Sequence, residues 1–146
     1  MNEDALFDMV NEAIIYAKAQ IEEKGELIPF AMALDEAGEI RSFNCKEKEA
    51  DMCYSSLLDM LRREVVHHSD ITALAVLSDV SIPAEYHAGS EYGIRVHLEE
   101  RHKRGNRIGA RFLYVPYTRY KEAQTGQEIL QLHAPLPVAF PPEIFV

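Results

Sequence analysis

A dense cluster of basic side chains is the feature of this sequence with the clearest chemistry. Four cations lie within seven positions: Arg101, Lys103, Arg104 and Arg107. They stand at a turn between two strand-like segments, in a chain whose net charge is -9. Cations at a hairpin end favour contact with an anionic surface, while a solvated turn that prevents edge-to-edge pairing is the structural alternative. We expect these four residues to recognise a partner protein and to take no part in catalysis.

A second set of candidate binding residues lies in the polar loop before this hairpin. The loop carries Tyr86, His87 and Tyr92. Tyr and His bury a large area while keeping a polar end, and loops carry binding sites more often than scaffold elements do. We expect these three residues to contribute to binding. Their structural alternative is to cover the edge of the sheet.

Acidic residues on neighbouring strands indicate one enzymatic hypothesis. Asp79 lies near the end of one predicted strand, and Glu99 and Arg101 share a face of the next. This pattern resembles the PD-(D/E)xK nucleases, in which an Asp and a Glu-x-Lys pair hold a divalent cation. The resemblance implies a metal-dependent hydrolase or nuclease that uses Asp79 and Glu99, although Arg101 stands in place of the Lys. A solvent-facing ion-pair ladder of Glu99 and Arg101 is the structural alternative.

Other catalytic patterns are missing from the sequence. The six histidines belong to no paired metal-ligand motif such as C-x2-C or H-E-x-x-H. Ser90 follows Gly89 directly and so lacks the G-x-S-x-G spacing of a nucleophile turn. We therefore expect no metal, no cofactor and no catalytic residue, and we favour a binding protein over an enzyme.

Composition and charge narrow the classes of partner. The chain has the size of a single domain over residues 1–146, and no apolar run approaches the ~20 residues that span a membrane. Residues 1–70 carry sixteen acidic and seven basic residues, whereas residues 71–146 carry eight of each. The acidic half argues against nucleic-acid binding. Its complementarity to the basic turn favours a homodimer besides a protein partner.

Cysteine usage bears on the cellular compartment. Cys45 and Cys53 flank the start of a predicted helix. If both were helical, their separation of eight residues would place them about 12 Å apart along the axis. A disulfide is therefore not expected, and reduced thiols indicate a cytoplasmic protein.

The candidate residues are carried by a predicted order of helix, two strands, helix and three strands, α-β-β-α-β-β-β. The helices show apolar residues at three- and four-residue steps, and the strands show a period of two or are apolar throughout. Ile71–Val80 is apolar on both faces and should be a central strand covered on two sides. Prolines should keep the tail from about residue 135 out of regular structure and along the surface; they are Pro135, Pro137, Pro141 and Pro142.

These elements predict the α+β class, with a single antiparallel sheet of about five strands and two main helices. The element order resembles the profilin-like arrangement of roadblock and related regulatory domains. The last third of the chain also resembles a loose group of small, stand-alone bacterial proteins without an established activity. The residues that carry this second resemblance are Leu98, Glu99, Arg101, Pro116, Tyr117, Pro142, Ile144 and Phe145.

The function expected from the sequence is a cytoplasmic, non-enzymatic interaction or regulatory module. Within the binding class, a toxin-neutralising immunity protein is an alternative, because many such proteins are small, acidic and stand-alone. An enzyme would instead require a concave pocket with converging carboxylates, whereas a binding module would present exposed aromatic or charged side chains.

Overall fold

The computed structural model describes residues 3–45, 50–86 and 88–146 and has the α+β class predicted from the sequence. Two helices pack on one antiparallel sheet of seven strands, two more than expected. Short 3-10 turns cover Ala84–Tyr86 and Arg101–Lys103. The main elements are α1 (Glu3–Lys24), β1 (Phe30–Asp35), β2 (Ile40–Asn44), α2 (Ala50–His67), β3 (Ile71–Ser81), β4 (Tyr92–Glu100), β5 (Ala110–Lys121), β6 (Glu128–Leu132) and β7 (Leu136–Phe140).

The sheet has β3 at its centre, as the sequence predicts. Its strand order is β2-β1-β3-β4-β5-β6, so that β3 pairs with both β1 and β4. Ala73, Ala75 and Leu77 belong to the core under α1, and Leu74 and Val76 belong to the core under α2. All five side chains are completely buried. A strand that is apolar on both faces requires cover on both faces, and the two helices supply it.

The two helices pack through different kinds of side chain. α1 places small and medium residues against the sheet, including Ala13, Ala17 and Ile21. α2 contributes larger apolar side chains to a core that includes two alanines of β1; they are Leu57, Leu58, Leu61 and Val65. The small alanine side chains allow α2 to lie close to the strand. Neither helix of the described residues is long and apolar enough to cross a membrane.

The outer edge of β5 is covered by two short strands in succession. β6 pairs with the second half of β5, and β7 pairs with the first half. The prediction that prolines exclude regular structure after residue 135 is therefore wrong, because Pro137 lies inside β7 opposite Leu113. Proline lacks only the N–H, and an edge strand needs hydrogen bonds on one side alone. After β7, Pro141 and Pro142 lead the chain back towards α2.

The cysteines are joined by a disulfide, which contradicts the expectation of reduced thiols. Cys45 and Cys53 are bonded to each other, and their Cα atoms lie 5.5 Å apart. Cys45 directly follows β2 and precedes α2, so the separation along a helix axis does not apply to the pair. The argument from reduced thiols to a cytoplasmic location loses its basis, and that location remains a prediction.

Replacing Val76 with Asp tests the assignment of β3 as the central strand. The substitution places a charge without a partner at a completely buried position. A cost above about 4 kcal/mol is expected, comparable with the whole stability of many domains. We expect the variant to lose its cooperative thermal unfolding transition, measured by circular dichroism. The matched control is Ser81→Asp, at an exposed position of the same strand, which should unfold like the wild type; a normally folded Val76→Asp protein would contradict the assignment.

Candidate binding surface

The basic turn lies between β4 and β5, as the sequence predicts. The chain makes a 3-10 turn at Arg101–Lys103 and then two tight turns before β5. Gly109 closes this segment, because a Cβ atom there would overlap the carbonyl oxygen of Lys103. We call residues 101–109 the hairpin tip.

Arg101 turns its guanidinium inward, towards the end of α2. Its Nε donates a hydrogen bond of 2.6 Å to the carbonyl of Ile71, and its Nη2 donates to the carbonyls of Val65 at 2.9 Å and His68 at 3.3 Å. Its guanidinium carbon also lies 4.9 Å from the ring centre of Phe145. Carbonyls at the last turn of a helix lack partners within the helix, and Arg101 supplies donors for them. Arg101 therefore stabilises the fold.

The other three cations of the tip differ in what they contact. Lys103 forms an ion pair of 2.7 Å with Glu100, and both side chains are partly buried. Arg104 and Arg107 are exposed, and neither has an ion-pair or hydrogen-bond partner for its side chain among the described residues. Two of the four predicted binding cations are thus available for a partner.

The aromatic loop residues lie at the opposite end of the hairpin. Tyr92 begins β4 and is half exposed. The nine residues of β4 separate it from the tip, a distance of about 30 Å at 3.3 Å per residue. Tyr86 packs its ring 5.6 Å from that of Tyr114, in a cluster that covers β5. His87 lies outside the described residues. The two predicted binding segments therefore do not form one surface.

The polar face of β4 is buried, contrary to the expectation of a solvent-facing ladder. His97 is completely buried and Glu99 is 1% exposed. The carboxylate of Glu99 accepts hydrogen bonds from three backbone N–H groups of the C-terminal segment, those of Glu143, Ile144 and Phe145, at 2.9 to 3.2 Å. It also contacts Nε2 of His97 at 2.5 Å. The segment 143–145 thus covers a face that would otherwise meet solvent.

Hydrogen bonding decides the charge state of Glu99. Burial alone acts to raise the pKa of its carboxyl group. The hydrogen bonds from His97 and from the backbone N–H groups of Glu143 and Phe145 outweigh burial and hold the pKa below its usual value. Glu99 therefore remains an anion. Because a carboxylate only accepts hydrogen bonds, Nε2 of His97 carries the proton in this contact.

Tyr54 extends this buried chain towards α2. Its hydroxyl group lies 2.9 Å from Nδ1 of His97 and donates a hydrogen bond to that nitrogen when the ring is neutral. Burial is the main cause that raises the pKa of Tyr54, and the charges of Glu143 and Glu99 raise it further against the opposing charge of Arg95. The tyrosine therefore stays protonated. Tyr54 donates a hydrogen bond to His97, and His97 donates one to Glu99.

The carboxylates of the nuclease hypothesis lie on opposite faces of the sheet. Asp79 follows Leu77 on the α1 face, and its Oδ1 accepts a hydrogen bond of 2.7 Å from the hydroxyl of Tyr117. Glu99 pairs with Leu74 on the α2 face. The structure does not bring Asp79 and Glu99 together. Within residues 3–45, 50–86 and 88–146, no group of three or more His, Cys, Asp or Glu side chains is placed to hold a metal ion.

An open groove runs beside the hairpin tip, between α2 and the C-terminal segment. It has a volume of about 340 Å³. Ile144 and Phe145, both 2% exposed, form part of its wall, and Arg62 and Arg104 contribute positive charge. Val66 and Val146 also line it and are 78% and 85% exposed. We call this feature the tip groove.

Sequence reasoning found the basic tip but missed the tip groove. The groove depends on residues 144–146, which follow a run of prolines that predicted a surface tail. In the structure Glu99 accepts hydrogen bonds from the backbone of Ile144 and Phe145, and Arg101 lies over the ring of Phe145. Comparisons with family models, with curated proteins and with solved structures find no match to this chain.

The buried hydroxyl of Tyr117 predicts a loss of stability at alkaline pH. Burial first, and then the hydrogen bond to Asp79, raise the pKa of Tyr117 to about 12. An unfolded tyrosine titrates near pH 10. Between these values the folded state holds a proton that the unfolded state releases, so the free energy of unfolding falls as pH rises.

Tyr117→Phe should remove this part of the pH dependence. Melting temperatures measured from about pH 9 to about pH 11 should fall less steeply for the variant than for the wild type. The matched control is Tyr120→Phe, because Tyr120 is half exposed on the same strand, and it should retain the wild-type slope. Equal slopes for Tyr117→Phe and the wild type would show that Tyr117 does not cause the loss.

Proposed function

We propose that this protein is a non-enzymatic binding module that recognises an acidic, partly apolar segment of a partner protein in the tip groove. The observation that carries the proposal is Arg104, which lines the groove, together with Arg107 elsewhere on the hairpin tip. Both are exposed cations without partners among the described residues, in a chain of net charge -9. Their neighbours Arg101 and Lys103 are engaged within the fold.

The residues that line the groove indicate which side chains a partner segment should carry. Exposed Val66 and Val146 offer apolar contact, and Arg104 adds a positive charge that is unpaired among the described residues, whereas Arg62 forms an ion pair with Asp59 and donates to the carbonyl of Glu143. A segment that carries an apolar side chain between carboxylates complements both features. Arginine favours carboxylates because its planar group donates two parallel hydrogen bonds.

Acidic residues near the hairpin tip also decide whether a protein or a nucleic acid is the better partner. Glu3, Glu36 and Glu100 line a second cavity together with Lys103 and Arg104. These acidic residues attract the basic tip within the same molecule, and they would repel the phosphates of a nucleic acid. A protein partner is therefore favoured over DNA or RNA. A toxin-neutralising immunity protein is one class within this proposal, and a cytoplasmic location belongs to it as well.

Selection from a random peptide library tests the proposal without knowledge of the partner. Wild-type protein should select peptides rich in Asp and Glu around one or two apolar residues, and their binding should weaken as salt rises. Arg104→Ser/Arg107→Ser should lose this selection. Its melting temperature should stay close to that of the wild type, because both side chains are exposed and neither has an ion-pair or hydrogen-bond partner among the described residues.

A control with the same loss of charge separates recognition from general electrostatics. Lys24→Ser/Lys121→Ser removes two exposed cations at the far end of the sheet from the tip. This variant should select the same acidic peptides as the wild type. Selection of identical peptides by Arg104→Ser/Arg107→Ser would contradict the proposal. Sedimentation of the wild type alone distinguishes a homodimer, in which a second copy supplies the acidic residues.

A further inference from the structure

A separate cavity of about 390 Å³ lies near the start of β1, beside residues 78–80 of β3 and the N-terminal part of α2. Ser78 and Arg95 contribute side chains from the sheet, and Tyr54 and Ser55 contribute theirs from α2. Leu27 and Pro29 add apolar surface. Asp79 and Val80 line it as well, so the cavity combines a cation, a carboxylate and hydroxyl groups with an apolar part.

Two buried polar atoms at this cavity have no hydrogen-bond partner among the described residues. They are Oγ of Ser78 and Nε of Arg95. Ser78 is 7% exposed, so its hydroxyl group has little access to solvent. A buried donor left without a partner costs about 1–3 kcal/mol, and most such atoms in native proteins are paired. The two atoms therefore indicate a position where a ligand supplies the missing acceptors.

Strand pairing places these two donors next to each other. Ser78 and Arg95 are directly opposite in the pairing of β3 with β4, on the same face of the sheet. Side chains at such positions start from Cβ atoms roughly 5 Å apart. One small group can therefore reach both donors.

The guanidinium of Arg95 packs against two aromatic rings and forms no ion pair among the described residues. Its guanidinium carbon lies 5.0 Å from the ring centre of Tyr54 and 4.5 Å from that of Phe112. None of the ion pairs among the described residues includes Arg95. Asp79 also lines this cavity, and its Oδ1 accepts a hydrogen bond from the hydroxyl of Tyr117. The rings of Tyr54 and Phe112 hold this cation in place, and within the part of the chain that the structure describes no carboxylate forms an ion pair with it.

We propose that this cavity is a binding site for a small organic carboxylate, which Arg95 and Ser78 hold by its two oxygen atoms. One carboxylate oxygen accepts from Nε of Arg95, and the other accepts from Oγ of Ser78. The apolar part of the ligand lies against Leu27 and Pro29. Inorganic phosphate fits less well, because its additional oxygens exceed the buried donors of the cavity.

Titration of the full chain with benzoate, followed by the backbone amide signals in NMR spectra, tests the proposal. Chloride at the same ionic strength serves as the reference. Amides of Ser55, Ser78 and Arg95 should shift with benzoate, and the shifts should saturate at millimolar concentrations. Inorganic phosphate should cause smaller shifts. Absence of saturable shifts with benzoate, or equal shifts with chloride, would overturn the proposal.

Substitutions identify the groups that hold the carboxylate. Ser78→Ala removes only the unpaired hydroxyl and should raise the dissociation constant for benzoate by about tenfold. Without ligand, its melting temperature should equal or exceed that of the wild type, because an unsatisfied buried group is lost. Arg95→Gln should abolish the saturable shifts. Arg111→Gln, at an exposed position of β5, is the control and should bind benzoate like the wild type.

The Ser78→Ala comparison keeps the test decisive if Arg95→Gln does not fold. Benzoate binding by Ser78→Ala with the wild-type dissociation constant would overturn the assignment of this cavity. Weaker binding combined with unchanged stability would support it, because a hydroxyl group with a purely structural role would lower stability when removed.

Discussion

The carboxylate of Glu99 lies out of contact with water, in a place where an uncompensated charge would cost several kcal/mol. Compensation comes from His97 on the same strand and from the backbone N–H groups of residues 143–145, more than forty positions away in the sequence. These bonds hold the C-terminal segment against α2, where Ile144 and Phe145 complete the core on that side. Much of the α2 side of the molecule therefore depends on one buried anion and its donors.

The same interaction shapes both candidate sites. The C-terminal segment held by Glu99 supplies Ile144 and Phe145 to the tip groove. His97 and Arg95 lie on the same face of β4 as Glu99, two and four residues before it. Arg95 lines the cavity proposed for a carboxylate. One face of one strand thus connects a groove at the tip to a cavity nearer the other end. Arg101 is fixed nearby by carbonyl groups, which leaves Arg104 and Arg107 to face solvent.

How far the sequence predicts this structure depends on whether local or distant residues decide each feature. The apolar faces of β3 required cover on both sides, and this was predicted from the apolar residues on both faces of Ile71–Val80. The period of two in β4 predicted a strand, but the solvent-facing ladder considered for Glu99 and Arg101 is absent, because residues 143–145, far away in the sequence, cover Glu99. Pro137 was expected to exclude a strand because the sequence does not show that β7 is an edge strand. Tyr54 and Ser78 gave no local signal, since their importance arises only where α2 meets the sheet.

Hydrogen exchange at the backbone amides of residues 143–145 tests the central role of Glu99 most directly. In the wild type these amides should be protected at neutral pH, because each donates to the buried carboxylate. In Glu99→Gln their exchange should accelerate by about tenfold or more, since hydrogen bonds to a charged acceptor are lost. The amide of Val96 in β4 is the internal reference for global unfolding. Exchange of residues 143–145 at the rate of a free peptide in the wild type, or equal protection in Glu99→Gln, would contradict the account.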